Sequence, residues 1–142
     1  MEAFLNSIGY SAWAIHALLG IPILGMALVL AASEDRAKRL ALGVSLLELL
    51  VSLPIWSAFN AAATTFQFTS SVDWIPEWGI SYSVGIDGIS VLLILLTTVL
   101  TPLALLGSFR YIRTRQRTFY AMMLLLETGV IGVFVALDAF LF

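Results

Sequence analysis

Four long apolar runs, separated by shorter polar segments, dominate the pattern of hydrophobic and polar positions. They cover about residues 11–32, 40–60, 88–108 and 118–137. At 1.5 Å per residue, a helix of about twenty residues crosses roughly 30 Å, the thickness of the hydrocarbon core of a bilayer. The pattern therefore predicts an all-α membrane protein with four transmembrane helices, and we treat residues 1–142 as a single membrane-embedded unit.

The polar segments between the runs differ in charge. All seven lysines and arginines fall in the first connection, a tight polar turn at 33–39, and in the third, 109–117. The second connection, 61–87, is an aromatic and acidic loop without a basic residue, and Trp74, Trp78 and Tyr82 are typical of a membrane interface. Basic connections remain in the cytoplasm, so we predict that the N-terminus, the loop 61–87 and Asp138 lie outside.

The composition excludes several classes of protein. The chain is 61% hydrophobic and 11% charged, and its mean hydropathy is +1.01, whereas a soluble domain of this size needs more polar surface. It has no cysteine and one histidine, which excludes disulfides, iron–sulfur ligation and a multi-histidine metal or haem site within the chain. We expect a lipid bilayer as its surroundings, no metal, and no nucleic-acid partner.

Two carboxyl groups fall near the middle of apolar runs, at Glu48 and Glu127. A charge at the bilayer centre costs about 2.5–3.5 kcal/mol on insertion scales, so such a residue usually faces a partner or a water-filled cavity. One interpretation is a proton-relay carboxyl group, and the other is a protonated glutamate bonded to a neighbouring helix. Glu127 is the stronger candidate, because Thr128, Gly129 and Gly132 provide a hydroxyl and room for close helix approach.

Other polar residues have simpler interpretations. Asp87 precedes the third run and is predicted to cap that helix at the outer surface. His16 is interpreted as a hydrogen-bonded interface residue rather than a proton carrier. The basic third connection is interpreted as a determinant of topology and a contact for a cytoplasmic partner, with anionic lipid as the alternative; its arginines are Arg110, Arg113, Arg115 and Arg117.

The last residues form a short apolar segment. Four apolar residues at 139–142 follow Asp138, and a terminal carboxylate there would lie at the apolar boundary. The simplest interpretation is a truncated chain whose fifth span begins at about residue 139.

Two groups of motifs resemble the antiporter-like subunit M family of respiratory complex I, the NADH-quinone oxidoreductase. The resemblance covers about residues 66–142, whereas residues 1–65 agree only in hydropathy. The first group surrounds the third span and the second lies in the fourth: Trp74-Ile75-Pro76, Gly79-Ile80, Gly85-Ile86-Asp87-Gly88-Ile89-Ser90, Leu95-Leu96-Thr97-Thr98, Leu100-Thr101-Pro102, Tyr120-Ala121-Met122, Leu124-Leu125-Leu126-Glu127-Thr128-Gly129 and Gly132-Val133-Phe134-Val135-Ala136-Leu137-Asp138.

The resemblance implies proton translocation by the N-terminal part of an antiporter-like helical bundle. In that family, quinone reduction elsewhere in the complex drives protons through buried glutamates and lysines. The implied partners are the other membrane subunits of complex I, in the inner membrane of a bacterial cell. NADH, flavin, iron–sulfur clusters and quinone would belong to other subunits, so this chain alone would not be catalytic and would handle no small substrate other than protons. Glu127 matches a glutamate found in many members, which implies a supporting role.

Two alternatives remain open from the sequence. One is the related subunit of a multi-subunit cation/proton antiporter or of a membrane-bound hydrogenase. The other is a complete small four-span protein with a structural or assembly role.

Overall fold

The computed structural model describes residues 2–137 and 141–142. Within these residues, four helices are long and apolar enough to cross a membrane. A short helix, α1, spans Glu2–Ser7, and the four long helices are α2 (Tyr10–Ala31), α3 (Glu34–Ala58), α4 (Gly88–Ser108) and α5 (Gln116–Val135). The predicted helical membrane fold is confirmed. Asp138 and most of the predicted fifth span lie outside the described residues.

Helix α3 begins earlier than the sequence predicted. The segment 33–39, predicted to be a polar turn, forms the first turns of α3, and the connection to α2 is reduced to Ala32 and Ser33. Glu34 and Asp35 occupy the first turn, where negative charge interacts favourably with the helix dipole. The charge of this segment was mistaken for a break in the helix.

The predicted loop 61–87 contains a two-stranded antiparallel sheet. Strand β1 (Gln67–Ile75) pairs with β2 (Ile80–Ile86), and a 3₁₀ turn at Pro76–Trp78 joins them. Gly79 ends that turn with a φ of 68°, a conformation that glycine adopts without steric penalty. The alternation of apolar and polar residues in β2 (Ile80, Tyr82, Val84, Ile86) is the period-two signal of a strand, which the aromatic and acidic composition obscured.

The buried faces of the long helices follow a spacing of three and four residues. In α3 the buried positions are Ala37, Ala41, Ser45, Glu48, Ser52 and Ile55. Such spacing places one stripe of each helix against its neighbours. Only about a third of each spanning segment is buried inside the chain. The other faces are largely apolar and are available to lipid or to further helices.

Two apolar clusters occupy the two ends of the bundle. The hairpin-end cluster includes Tyr10, Leu18, Ile55, Phe68, Val84, Ile86, Ile94, Ile131 and Val135. The basic-end cluster consists of Val29, Ala37, Ala41, Leu105, Tyr120, Ala121 and Leu124. Between them lies a layer of buried polar side chains, the polar layer, formed by Ser45, Glu48, Ser52, Thr98, Thr101 and Glu127.

The sheet is anchored to the bundle at its base. Phe68 packs edge-to-face on Tyr10, with ring centroids 6.1 Å apart. The backbone N–H of Leu137 donates a 2.9 Å hydrogen bond to the carbonyl of Ser83. A methyl group at Gly85 would lie 2.8 Å from Leu137 Cδ1, so only glycine allows this approach. The tip of the hairpin is exposed: 74% of Trp74 and 75% of Trp78 are accessible.

The two basic connections meet at the opposite end of the bundle. Arg117 forms a 3.0 Å ion pair with Glu34, and its backbone N–H donates to the same carboxylate. The ammonium group of Lys38 lies 5.8 Å from the ring centroid of Phe109. Basic residues from both connections therefore lie on the same side, as the topology prediction requires.

Candidate functional site

Glu48 of α3 and Glu127 of α5 are neighbours in the polar layer. Glu48 is 0% exposed and Glu127 is 2% exposed. Their carboxyl groups are close enough for each to act on the other electrostatically. Among the described residues, none forms a hydrogen bond with any of the four carboxyl oxygens. Two buried acids without partners are uncommon in a packed interior, where polar groups are normally hydrogen-bonded.

Helix geometry explains why these two residues meet. Glu48 lies near the middle of α3 and Glu127 near the middle of α5, and both belong to the buried stripes. Glu48 stands between Ala41 and Ile55 of the two apolar clusters, and Glu127 stands between Leu124 and Ile131. The depth and the face of each carboxyl group are therefore set by the apolar residues before and after it.

Helix α4 contributes hydroxyl groups to the polar layer. Thr101 lies beside Glu127 and donates its proton to the carbonyl of Thr97 at 3.0 Å. Thr98 lies 2.8 Å from Ser52, hydroxyl oxygen to hydroxyl oxygen. The sequence did not place Thr98 and Thr101 around the carboxyl pair. The spacing of buried positions on α3 and α4 was the available signal.

Proline and glycine complete the layer. Pro102 is buried in α4 and has no N–H to donate to the carbonyl of Thr98, four residues earlier. From α2, Pro22 and Gly25 are buried at this depth. A methyl group built at Gly25 would lie 2.4 Å from Val44 Cγ1, so the absence of a side chain allows α2 and α3 to approach closely.

Three residues near Glu127 made it the stronger relay candidate in the sequence, but they lie on another face of α5. Thr128, Gly129 and Gly132 line a largely apolar groove of about 520 Å³. A methyl group at Gly129 would meet no atom within 4 Å, so this glycine makes no close helix contact in the described part of the chain. His16 lines the same groove, with its ring 5.8 Å from that of Tyr82. Glu127 is thus paired with Glu48, and His16 is not part of that site.

Asp87 lies at the hairpin end of α4, away from the carboxyl pair. Its side chain accepts a 2.7 Å hydrogen bond from the backbone N–H of Ser90, which is the N-cap interaction that the sequence predicted. This bond from the Ser90 backbone holds the pKa of the Asp87 carboxyl below its ordinary value.

The basic third connection is exposed. Arg110, Arg113 and Arg115 are exposed side chains, and Arg117 is held by Glu34. Among the described residues, no group of three or more histidine, cysteine, aspartate or glutamate side chains could hold a metal ion. The carboxyl pair is therefore the chemically distinctive site of the described chain, because its oxygens can bind a proton in an interior that offers them no other donor.

Comparison with known proteins identifies the family. The family described as NADH-ubiquinone oxidoreductase chain 4, amino terminus, matches residues 18–132, which is most of the chain. This chain belongs to that family. The match starts inside α2, so the likeness extends through the first two spans, where the sequence alone indicated only shared hydropathy. Both Glu48 and Glu127 lie inside the matched region.

Individual relatives agree with this assignment. The chain is 40% identical over 132 residues to NAD(P)H-quinone oxidoreductase chain 4 3 of a Picosynechococcus strain, which covers 90% of this chain and 24% of that protein. It is 39% identical to NADH-ubiquinone oxidoreductase chain 4 of Mycosarcoma maydis, over 88% of this chain and 27% of the relative. It is also 39% identical to F(420)H(2) dehydrogenase subunit M of Methanosarcina mazei, over 75% and 22%.

The chain therefore spans about a quarter of the length of these relatives. Together with four apolar helices, the family identifies a multi-pass membrane protein whose relatives are subunits of oxidoreductase complexes. The resemblance to the subunit M family is confirmed.

Proposed function

We propose that this chain is part of the proton-translocating membrane subunit of an NADH-quinone oxidoreductase. In this function, electron transfer from NADH to quinone drives protons across the membrane. Family membership supports the assignment to such a complex, and favours it over a small structural or assembly protein. The other membrane subunits of the complex and the lipid bilayer are the proposed partners, and they would cover the apolar outer faces of α2–α5.

The observation that carries the proposal is the pair Glu48 and Glu127. A pump needs groups that gain and lose protons within the membrane, and ionisable residues inside spanning helices usually serve such pathways. Both carboxyl groups are buried near the middle of their helices, and no described residue forms a hydrogen bond with them. They are placed to bind and release protons, and we assign them as relay residues.

Electron transfer is proposed to take place outside this chain. The sequence has no cysteine for a cluster, and the polar layer contains only carboxyl and hydroxyl side chains. We therefore assign NADH, flavin, iron–sulfur clusters and quinone to other subunits. On this proposal the chain contributes proton movement to an enzyme complex and has no redox activity of its own.

Replacement of the relay candidates tests the function. In the assembled complex, we expect Glu127→Gln to lower proton pumping by about half, without loss of assembly, because glutamine keeps the shape and removes the exchangeable carboxyl proton. Pumping is measured in inverted membrane vesicles, and assembly is measured by the content of the purified complex. Glu77→Gln, at an exposed position of the 3₁₀ turn, is the matched control. Wild-type pumping in both Glu127→Gln and Glu48→Gln would refute the assignment of the relay.

The proposed orientation places the N-terminus and the sheet outside the inner membrane of a bacterial cell. The separation of acidic and basic connections supports it. A cysteine replacing Ser70 in β1 should react with an impermeant maleimide added to intact cells, and one replacing Thr114 should not. The reverse labelling pattern would overturn the orientation.

A second candidate differs only in the electron donor. The relative from Methanosarcina mazei is named as a subunit of F(420)H(2) dehydrogenase, and it is as similar to this chain as the NADH-ubiquinone relative from Mycosarcoma. This favours a proton-translocating subunit that is used with more than one donor module. Membranes containing the complex should oxidise NADH with quinone on the first proposal, and should oxidise reduced F420 instead on the second.

A further inference from the structure

The two acids of the polar layer differ from every other buried polar side chain around them. Ser45 and Thr101 donate to carbonyls of their own helix. The protons of Ser52 and Thr98 are used in the contact between these two hydroxyls and in a bond to a carbonyl of one of the two helices. The hydroxyl protons are thus already engaged. Among the described residues, both oxygens of Glu48 and both oxygens of Glu127 have no such partner, although each side chain is at least 98% buried. Next to each carboxyl group lies the other carboxyl group, and the Thr101 hydroxyl lies beside Glu127 as well.

No positive charge from the surrounding helices balances the pair. Within the described bundle, α4 carries no ionisable side chain, and those of α2 are Tyr10 and His16. Tyr10 donates to the carbonyl of Val51, and His16 is exposed to the groove. The other ionisable side chains of α3 and α5 lie near the start of each helix, at the basic end of the bundle. Tyr120 is one of them, and its hydroxyl oxygen lies 3.2 Å from the hydroxyl oxygen of Ser108.

This environment limits the charge that the pair can carry. Two ionised carboxylates side by side would suffer both desolvation and mutual repulsion. One proton removes most of the repulsion, because the protonated group can donate a charge-assisted hydrogen bond to the ionised one. A second proton makes the pair neutral, which suits an apolar interior. The doubly ionised state is thus excluded, and one proton separates the two accessible states.

We propose that Glu48 and Glu127 form a single two-carboxyl site that exchanges one proton. The site alternates between a neutral state with two protons and a singly charged state with one proton shared between the two groups. The exchange breaks one O–H bond of a carboxyl group and forms a new O–H bond on a water molecule that enters the polar layer, with no change of oxidation state. That the exchanged proton is a transported one rests on the proposed function. The coupling of the two carboxyl groups rests on the geometry of the polar layer alone.

Infrared difference spectroscopy of the assembled complex in membranes tests the coupling directly. The carboxyl C=O band that disappears in Glu127→Gln belongs to Glu127, and its dependence on pH gives a titration midpoint. We expect Glu48→Gln to displace that midpoint by at least about one pH unit, because coupled groups titrate as a pair. Glu127→Gln should displace the band of Glu48 in the same way. Ser45→Ala, one turn from Glu48 and equally buried, should leave both midpoints in place.

An unchanged Glu127 midpoint in Glu48→Gln would overturn the shared site. Should that variant fail to assemble, Glu48→Asp keeps the acid but shortens it by one methylene, and a smaller displacement in the same direction is expected because the coupling is weakened but not removed. A band that responds to sodium chloride at constant pH, and not to potassium chloride, would overturn proton exchange in favour of cation binding. Coupled midpoints with wild-type pumping would refute the proposed function at this site but keep the shared proton. Lost pumping with independent midpoints would refute the shared proton but keep the proposed function.

Discussion

Ser52 and Thr98 connect α3 to α4 by a 2.8 Å contact between their hydroxyl oxygens, and neither side chain is accessible to solvent. The contact lies one helical turn from Glu48 on α3 and one turn from Thr101 on α4. It therefore fixes the distance between the two helices at the depth of the carboxyl pair. One of the two hydroxyls donates its proton across this contact, and the other can donate to a carbonyl of its own helix, Leu49 for Ser52 or Leu95 for Thr98.

Removal of this bond should destabilise the protein modestly. Interhelical hydrogen bonds within membranes contribute about 0.6 kcal/mol on average, so Ser52→Ala and Thr98→Val should each lower the free energy of unfolding by roughly that amount. The double variant should lose little more than either single variant, because one bond is removed only once. Unfolding of the purified protein in mixed detergent micelles measures the three values. Additive losses would show that the two hydroxyl groups do not interact.

Gly25 should tolerate substitution much less well than Gly20 on the same helix. A methyl group at Gly25 meets Val44 at 2.4 Å, whereas one at Gly20 meets nothing within 4 Å. Overpacking of this kind costs about 1–3 kcal/mol, so Gly25→Ala should lower stability by that amount and Gly20→Ala should not. Val44→Ala combined with Gly25→Ala should restore most of the loss. Equal stability of the two single variants would contradict the close packing of α2 on α3.

The cap of α4 should respond to the loss of the Asp87 side chain. Replacement of an N-cap aspartate by alanine costs about 1 kcal/mol, whereas asparagine is nearly as good a cap. Asp87→Ala should therefore destabilise the protein and Asp87→Asn should have little effect, as measured by thermal unfolding at neutral pH. A loss in Asp87→Asn equal to that in Asp87→Ala would show that the negative charge, not the hydrogen bond, is the important property.

The same carboxyl group predicts a pH dependence. Because the bond from the Ser90 backbone lowers the pKa of Asp87 in the folded protein, the ionised form is favoured by folding. Its contribution is complete above the ordinary aspartate pKa of about 3.9 and is lost as the pH falls through the lowered value. The stability difference between wild type and Asp87→Asn should thus change only below about pH 4. A change between neutral pH and pH 5 would point to another group.

The ion pair at the basic end should contribute little to stability. Arg117 and Glu34 have exposed fractions of 47% and 46%, and exposed ion pairs contribute about 0–1 kcal/mol. Arg117→Gln should hardly change the free energy of unfolding, and should change it even less at high salt. The matched variant Arg113→Gln removes an arginine that has no ion pair among the described residues. A much larger loss for Arg117→Gln would indicate a structural function for this pair.

Hydropathy predicted the four spanning helices because apolar runs of that length have few other stable arrangements in a membrane. It could not locate β1 and β2, since these strands are nine and seven residues long, much shorter than an apolar run that spans a membrane. It also misplaced the start of α3, because Arg36 and Lys38 interrupt the apolar run without interrupting the helix. Hydropathy reports the surroundings of a segment more directly than its backbone conformation.

The carboxyl pair was only partly predictable. The depth of Glu48 and Glu127 followed from sequence position, but their proximity depends on how α3 and α5 pack. The spacing from Ala41 to Ile55 would have placed Glu48 on the buried stripe, as Leu124 and Ile131 do for Glu127. Weight was given instead to Gly129 and Gly132, whose small size was interpreted as a helix contact. In the described chain both glycines border an apolar groove, and Gly132 also faces Leu19 of α2.

The two apolar clusters also act as insulation. Moving one elementary charge across a membrane potential of 100 mV changes its free energy by about 2.3 kcal/mol. An open aqueous passage through the bundle would let ions flow down this potential and dissipate it. Apolar side chains close the interior both above and below Glu48 and Glu127. Access from either face through this bundle requires these side chains to separate. While these clusters remain packed, the bundle offers ions no aqueous path between the two faces.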